Sequence, residues 1–245
     1  MYIDSFRYNG GINRNSYLKK LAVIRYLERE GGLEFSNPVT FLVGENGTGK
    51  STLIEAIAVA YGFNAEGGSK NFSFSTKNTH SELCDHITLI RTSYAKDGFF
   101  LRAESLYNAA SNIDELDELP CASPKLIAAY GGVSLHEQSH GESFLALVQN
   151  RLRGRGMYIF DEPEAALSPS RQMTLLCEID RLAKNNSQLI IATHSPILLA
   201  YPNADIIEVN KDGVRHVSYD ECAHVNTYRH FLSAPEKMVR YLLEQ

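Results

Sequence analysis

The apolar positions of the chain fall into two patterns. VTFLV (39–43), MYIF (157–160) and QLIIAT (188–193) are short continuous runs rich in β-branched and other large apolar residues. A strand covered on both faces reads this way, as in a parallel sheet. STLIEAIAVAYGF (51–63), GESFLALVQNRL (141–152) and SPSRQMTLLCEIDRLAKNN (168–186) place their apolar residues at helical spacing instead. In the last of these, Ser168 suits an N-cap and Pro169 the first turn. ITLIRTSY (87–94) and FFLRAES (99–105), separated by AKDG, predict a hairpin. LYNAASNIDELDEL (106–119) predicts an acidic helix ended by Pro120, and NAEGGSKNFSFSTKN (64–78) a polar loop. KLIAAYGGVSLHEQ fits neither period. Strands alternating with helices predict an α/β domain with a largely parallel sheet. No linker-like stretch divides the chain, so residues 1–245 are expected to form a single domain.

Composition changes this picture little. Hydrophobic residues make up 44% and charged residues 22%, ordinary for a globular domain. A net charge of −5 supplies no global attraction to nucleic acid or anionic membrane. The four cysteines are scattered without a C-x-x-C pair, which argues against a zinc knuckle or disulfide framework. The N-terminus is polar, and the longest apolar run, LIIATHSPILLAY, is broken by His194, Ser195 and Pro196. The expectation is a cytoplasmic chain without membrane insertion.

The informative chemistry begins at residue 44. Gly44, Glu45, Asn46, Gly47, Thr48, Gly49, Lys50 and Ser51 match G-x-x-x-x-G-K-[ST], with Thr52 following, between a predicted strand and a predicted helix. Glycines let successive N–H groups curl toward phosphate oxygens, and the helix N-terminus adds partial positive charge. Lys50 is expected at the β- and γ-phosphates of ATP, and the Ser51 hydroxyl on Mg²⁺. The run MYIFDEPEAAL (157–167) then puts Asp161 and Glu162 at the C-terminal end of a strand, where ligands sit in open α/β sheets. Asp161 is expected to serve Mg²⁺, and Glu162 to polarise an attacking water. ATHSP (192–196) brings His194 to the same sheet edge.

HEQSH (136–140) satisfies the zinc-protease pattern H-E-x-x-H, which needs both histidines on one face in mid-helix. Here Ser139 has the look of an N-cap with Glu142 completing a capping box, so the histidines straddle a helix start. In NRLRGRG (150–156), Arg151, Arg153 and Arg155 form a short basic cluster, read as a solvated loop ahead of a nucleic-acid contact.

Taken in order, GENGTGKST, SHGES, MYIFDEPE, AALS and ATHSP resemble the Walker A, signature, Walker B, D-loop and switch-histidine motifs of an ABC-type ATPase of the SMC/RecF-like branch. The chain looks like the short stand-alone prokaryotic ATPases labelled AAA-family. The resemblance runs from about residue 35 to 200. It implies a P-loop NTPase fold with an antiparallel β arm and a small helical lobe. The core would be residues 1–105 and 151–245, and the lobe 106–150, carrying Ser139, Gly141 and Glu142 of the signature. It further implies a head-to-tail, ATP-dependent homodimer in which one subunit's signature caps the γ-phosphate bound by the other. Closure would be coupled to a partner protein or DNA. A motor docking a membrane transporter is the alternative, and a small-molecule kinase a third reading. Three departures stand out. Ser168 replaces the usual D-loop Asp, no glutamine follows FFLR (Glu104 is the nearest polar residue), and no coiled coil separates Glu104 from Ser139.

Overall fold

The computed structural model describes residues 1–69, 81–102, 110, 111, 113, 114, 117, 125–211 and 213–244. In chain order the elements are β1 (Ile3–Tyr8), α1 (Ala22–Glu30), β2 (Gly32–Glu34), β3 (Val39–Gly44), α2 (Lys50–Tyr61), β4 (Gly68–Ser69), β5 (Ile87–Arg91) and β6 (Asp97–Arg102). There follow α3 (His140–Arg151), β7 (Gly156–Asp161), α4 (Pro169–Lys184), β8 (Gln188–Ala192), α5 (Pro196–Leu199), β9 (Asp205–Asn210), β10 (Gly213–Val217), α6 (Ala223–Ser233) and α7 (Pro235–Leu243).

Seven strands form the central sheet in the order β10-β9-β3-β8-β7-β6-β4. The pairings from β9 through β6 are parallel, and the two edge pairings, β10 on β9 and β4 on β6, are antiparallel. The continuous apolar runs have their reason here. Val39, Phe41 and Val43 enter one hydrophobic cluster, with Tyr158, Phe160, Leu189 and Ile191. Leu42, Met157, Ile159, Ile190 and Ala192 enter the other, on the opposite face. A sheet covered on both sides needs apolar residues at every strand position. The first cluster is closed by α3 and α4 through Phe144, Leu147, Leu175, Ile179 and Leu182. The second is closed by α1 and α2 through Val23, Leu27, Leu53, Ile54 and Ile57.

A separate antiparallel sheet, β2-β1-β5, is the β arm. This corrects the hairpin expected over 87–105. β5 pairs antiparallel with β1, whereas β6 pairs parallel with β7 in the central sheet. Residues 92–96 carry the chain between sheets, and Asp97 and Gly98 of the expected AKDG turn already belong to β6. The two segments diverge because their burial differs. Phe99, Phe100 and Leu101 are almost fully buried, while β5 has only Ile87 buried. Only five residues of the helix expected over 106–119 are described. Glu104 lies outside the described residues, as does most of the polar loop expected over 64–78. Residues 125–139 form two short 3-10 turns, Leu126–Tyr130 and Leu135–Glu137, which is why neither period fitted them.

One side chain fastens the arm to the central sheet. Gln188, fully buried at the start of β8, accepts from the N–H groups of Tyr2 and Ile3 at 2.7 and 2.9 Å and donates to the Ile3 carbonyl at 2.7 Å. Gln188→Leu leaves those backbone groups without partners in an apolar surround. It is expected to lower stability by about 2 kcal/mol or more, several degrees in melting temperature, read by thermal and denaturant unfolding.

Candidate nucleotide site

The site is assembled by register. In the parallel sheet Leu42 of β3 pairs with Ala192 of β8, and Asp161 of β7 pairs with the same Ala192. The residues that follow each strand therefore emerge at one edge. They are the loop 44–49, the turn at Glu162 and the turn at Thr193–His194. Backbone bonds lock them together, with Thr193 N–H donating to Leu42 O at 3.1 Å and Glu162 N–H to Ala192 O at 3.0 Å.

The loop 44–49 has no room for a side chain at its last position. Gly49 has φ +104°, and a Cβ there would come within 2.5 Å of Val23 Cγ1 on α1. Because Gly49 is the N-cap of α2 and supplies no side-chain cap, the first N–H groups of that helix remain available to an anion. Thr48 closes the turn through its hydroxyl to Glu45 O at 2.8 Å. Lys50 is 4% exposed and curls back over the loop, donating to Gly44 O at 2.6 Å and Glu45 O at 3.0 Å. Burial pushes its ammonium pKa down, opposed by the carboxylates of Glu162, Asp161, Glu164 and Glu45. Free donors, a buried cation and no side-chain obstruction fit a polyphosphate. The oxygen donors Ser51 and Asp161 suit a hard divalent cation such as Mg²⁺. Asp161 is buried, with the Arg102 guanidinium 3.5 Å from its Oδ2.

Opposite the cradle, Glu162 adopts φ +49°, uncommon for a non-glycine residue. The turn aims its carboxylate at His194, whose Nε2 lies 3.6 Å from Glu162 Oε1. That Nε2 is buried and finds no hydrogen-bond partner among the described residues. Burial and the neighbouring Lys50 charge lower the His194 pKa, against the pull of Glu162, so the imidazole is held neutral. Glu164 was not singled out from the sequence. It accepts from Thr193 Oγ1 at 2.7 Å and from the His194 N–H at 2.5 Å, and burial raises its pKa. Its signal was there in DEPE, a second carboxylate two residues after Glu162, but any polar residue after Pro163 would read alike.

The signature segment stands apart from this edge. Ser139 caps α3, and the capping box with Glu142 is complete. The Ser139 hydroxyl donates to Glu142 Oε2 at 2.6 Å and receives Arg171 Nη1 at 3.1 Å, and Arg171 Nη2 also reaches Glu142 Oε1 at 2.8 Å. Those bonds lower the Glu142 pKa, the Ser139 hydroxyl foremost. Gly141 is buried against the turn after β7, where a Cβ would sit 2.7 Å from Ala166 O. Arg171 was missed because it lies 32 residues from Ser139 in sequence. Among the described residues, the hydrogen bonds of Ser139 run to Glu142, Ser143 and Arg171, and none to the phosphate loop. Of HEQSH, His136 sits in a 3-10 turn bonded to Ser111 Oγ at 3.0 Å, and His140 opens α3. The histidines are not on one helix face. The basic cluster is also reduced, since Arg151 pairs with Asp97 at 3.0 Å to both oxygens. Ser168 accepts the Arg171 N–H as the N-cap of α4.

The comparisons agree with this geometry. A family model described as "AAA domain" matches residues 20–99, and another, "AAA domain, putative AbiEii toxin, Type IV TA system", matches residues 130–200. An uncharacterized ABC transporter ATP-binding protein of Haemophilus influenzae is 28% identical over 185 residues, 70% of this chain and 69% of that protein. The ribose import ATP-binding protein RbsA of Shigella dysenteriae is 30% identical over 193 residues, 70% of this chain and 37% of that protein. The chain thus spans little more than a third of the longer relative. Among solved structures, an ATP-binding cassette of an ABC transporter superposes with a TM-score of 0.50 at 17% identity, covering 98% of this chain and 99% of that one, which is a likeness of fold.

Gly49→Ala is expected to destabilise the phosphate loop and lower ATP affinity at least tenfold, because it combines a disfavoured φ with a collision. Titration with a fluorescent ATP analogue, alongside thermal unfolding, measures both. Fold, sheet-edge geometry and relatives together support an ABC-type P-loop ATPase.

Proposed function

We propose that this chain is an ATP-gated switch that closes head to tail with a second copy and opens on hydrolysis, passing that cycle to a partner protein. The observation that carries the reading is the convergence at one sheet edge of Lys50, Glu162 and His194, with the His194 Nε2 buried and unsatisfied. Residues 1–245 act as one domain, in which 106–150 is the lobe that presents the signature. The phosphate loop, with the N–H groups of α2 and Lys50, binds the polyphosphate, and Lys50 exchanges its two carbonyl acceptors for phosphate oxygens. Ser51 and Asp161 would hold Mg²⁺, which neutralises charge on the β- and γ-oxygens. Glu162 orients water for attack and takes up its proton. The neutral His194 offers Nε2 toward the γ-phosphate side of Glu162. Ser139 and Gly141, at the N-terminus of α3, would meet the phosphate of the other subunit, with Arg171 as a cation beside them.

A partner protein is favoured over DNA because Arg151 is already paired with Asp97, which thins the basic cluster. Docking to a membrane transporter is the second reading, prompted by the transport relatives. No described helix is long and apolar enough to cross a membrane.

Lys50→Ala should weaken ATP binding by about 2 kcal/mol or more, around thirtyfold in Kd, through lost charge-assisted contacts. Glu162→Gln should bind ATP as the parent does and hydrolyse it about a hundredfold more slowly or worse. Light scattering should find this variant dimeric in Mg-ATP and monomeric without it; a mass indifferent to nucleotide sinks the sandwich.

Ser139→Arg should bind ATP as a monomer and fail to dimerise. Mixed with Lys50→Ala it should recover at most one composite site, since only one site pairs an intact loop with an intact signature. Recovery of both sites, or ATP-driven dimers of Ser139→Arg alone, contradicts a signature acting across the interface.

A further inference from the structure

The backbone of His194 is held from two sides. Its N–H goes to Glu164 Oε1, on the loop after β7, at 2.5 Å. Its carbonyl faces His224 Nε2 at 2.6 Å. A carbonyl only accepts, so His224 carries its proton on Nε2 and donates. The two imidazoles also meet edge to face, with centroids 5.2 Å apart and planes at 61°. His224 is in the first turn of α6, far beyond the last motif of the site.

That first turn is itself anchored to the sheet that carries the phosphate loop. Glu208 of β9 is 4% exposed and pairs in register with Val43, one residue before Gly44. Its Oε1 accepts the Ala223 N–H at 2.9 Å, and its Oε2 pairs with Arg215 at 2.6 Å. Cys222, the N-cap of α6, is fully buried. Tyr219 adds a bond from its hydroxyl to Pro196 O at 3.2 Å, just after the switch turn. The start of α6 is therefore tied to β9 through Glu208, and with Tyr219 just before it reaches the carbonyls of His194 and Pro196.

We propose that His224 is a positioning residue for ATP hydrolysis. By donating to the His194 carbonyl, it holds the peptide orientation that points the His194 Nε2 at Glu162. Without that donor the turn keeps only the Glu164 bond and the Thr193 contacts, and the His194 ring is free to swing away from the carboxylate. His224 acts through His194 and needs no contact with nucleotide. Loss of its donor should therefore lower kcat and leave ATP affinity alone.

The inference rests on His194 serving hydrolysis, so the experiment includes His194→Ala. His224→Leu removes the donor while keeping bulk, and His224→Gln places an amide N–H about as far along the side chain. Expected are a kcat about tenfold lower for His224→Leu with KM for ATP within twofold of the parent, and recovery to within about threefold in His224→Gln. Histidine-ring ¹H–¹⁵N spectra of the nucleotide-free protein should show an exchange-protected Nε2–H that disappears in His224→Gln. A parent-like kcat in His224→Leu, an equal loss in His224→Gln, or a matching rise in KM overturns the proposal; so does the absence of a protected Nε2–H. If His194→Ala hydrolyses ATP like the parent, the reading of the site fails and this inference falls with it. If His194→Ala is inactive while His224→Leu is normal, only the role of His224 is lost.

Discussion

The parallel pairing of β3, β8 and β7 is the constraint on which the site depends. The loop 44–49 with Lys50 offers donors and a cation to a polyphosphate, but Asp161, Glu162 and His194 come from the ends of other strands. Register brings them together. Leu42, Ala192 and Asp161 share one row across three strands, so the segments after them leave the sheet together. Slipping one strand by one residue would turn its side chains to the other face and carry its loop away from the edge. The apolar content of both faces resists such a slip, because each strand feeds two hydrophobic clusters at once.

The same edge concentrates charge of both signs. Lys50 is almost wholly buried and stays among four carboxylates, while His194 is kept neutral by burial and by Lys50 itself. The arrangement is ready for anionic phosphate, which would supply the negative charge that Lys50 now finds in backbone carbonyls. Glu164 has a different part from its neighbour Glu162. One carboxylate faces the open site, and the other is spent on the Thr193 hydroxyl and the His194 N–H. The two glutamates on either side of Pro163 thus point in different directions, one from the cap and one from within the 3-10 turn Pro163–Ala166.

The signature segment is a closed unit within one chain. Ser139 and Glu142 form a closed capping box, reinforced by Arg171 from the start of α4. The box satisfies the helix start of α3 through its own side chains. In the proposed head-to-tail pair, the second copy brings signature and phosphate loop together.

The sequence by itself determined the strands and helices of the core and the motifs at their ends. Buried parallel strands and amphipathic helices carry their periodicity locally, and the phosphate loop is a contiguous string. Ser139 and Ser168 were legible as caps because a cap bonds within three residues. Residues 201–244 gave no comparable signal, although they supply β9, β10, α6 and α7. Only the tertiary structure decided that β5 leaves β6 for the arm, that Gln188 ties that arm to the central sheet, and that Glu164, Arg171 and His224 reach the motifs. Each of these is a contact between segments distant along the chain. Which side chain reaches which depends on the angle at which a turn leaves a strand, and on what has been packed beneath it. Neither is written in the spacing of apolar residues.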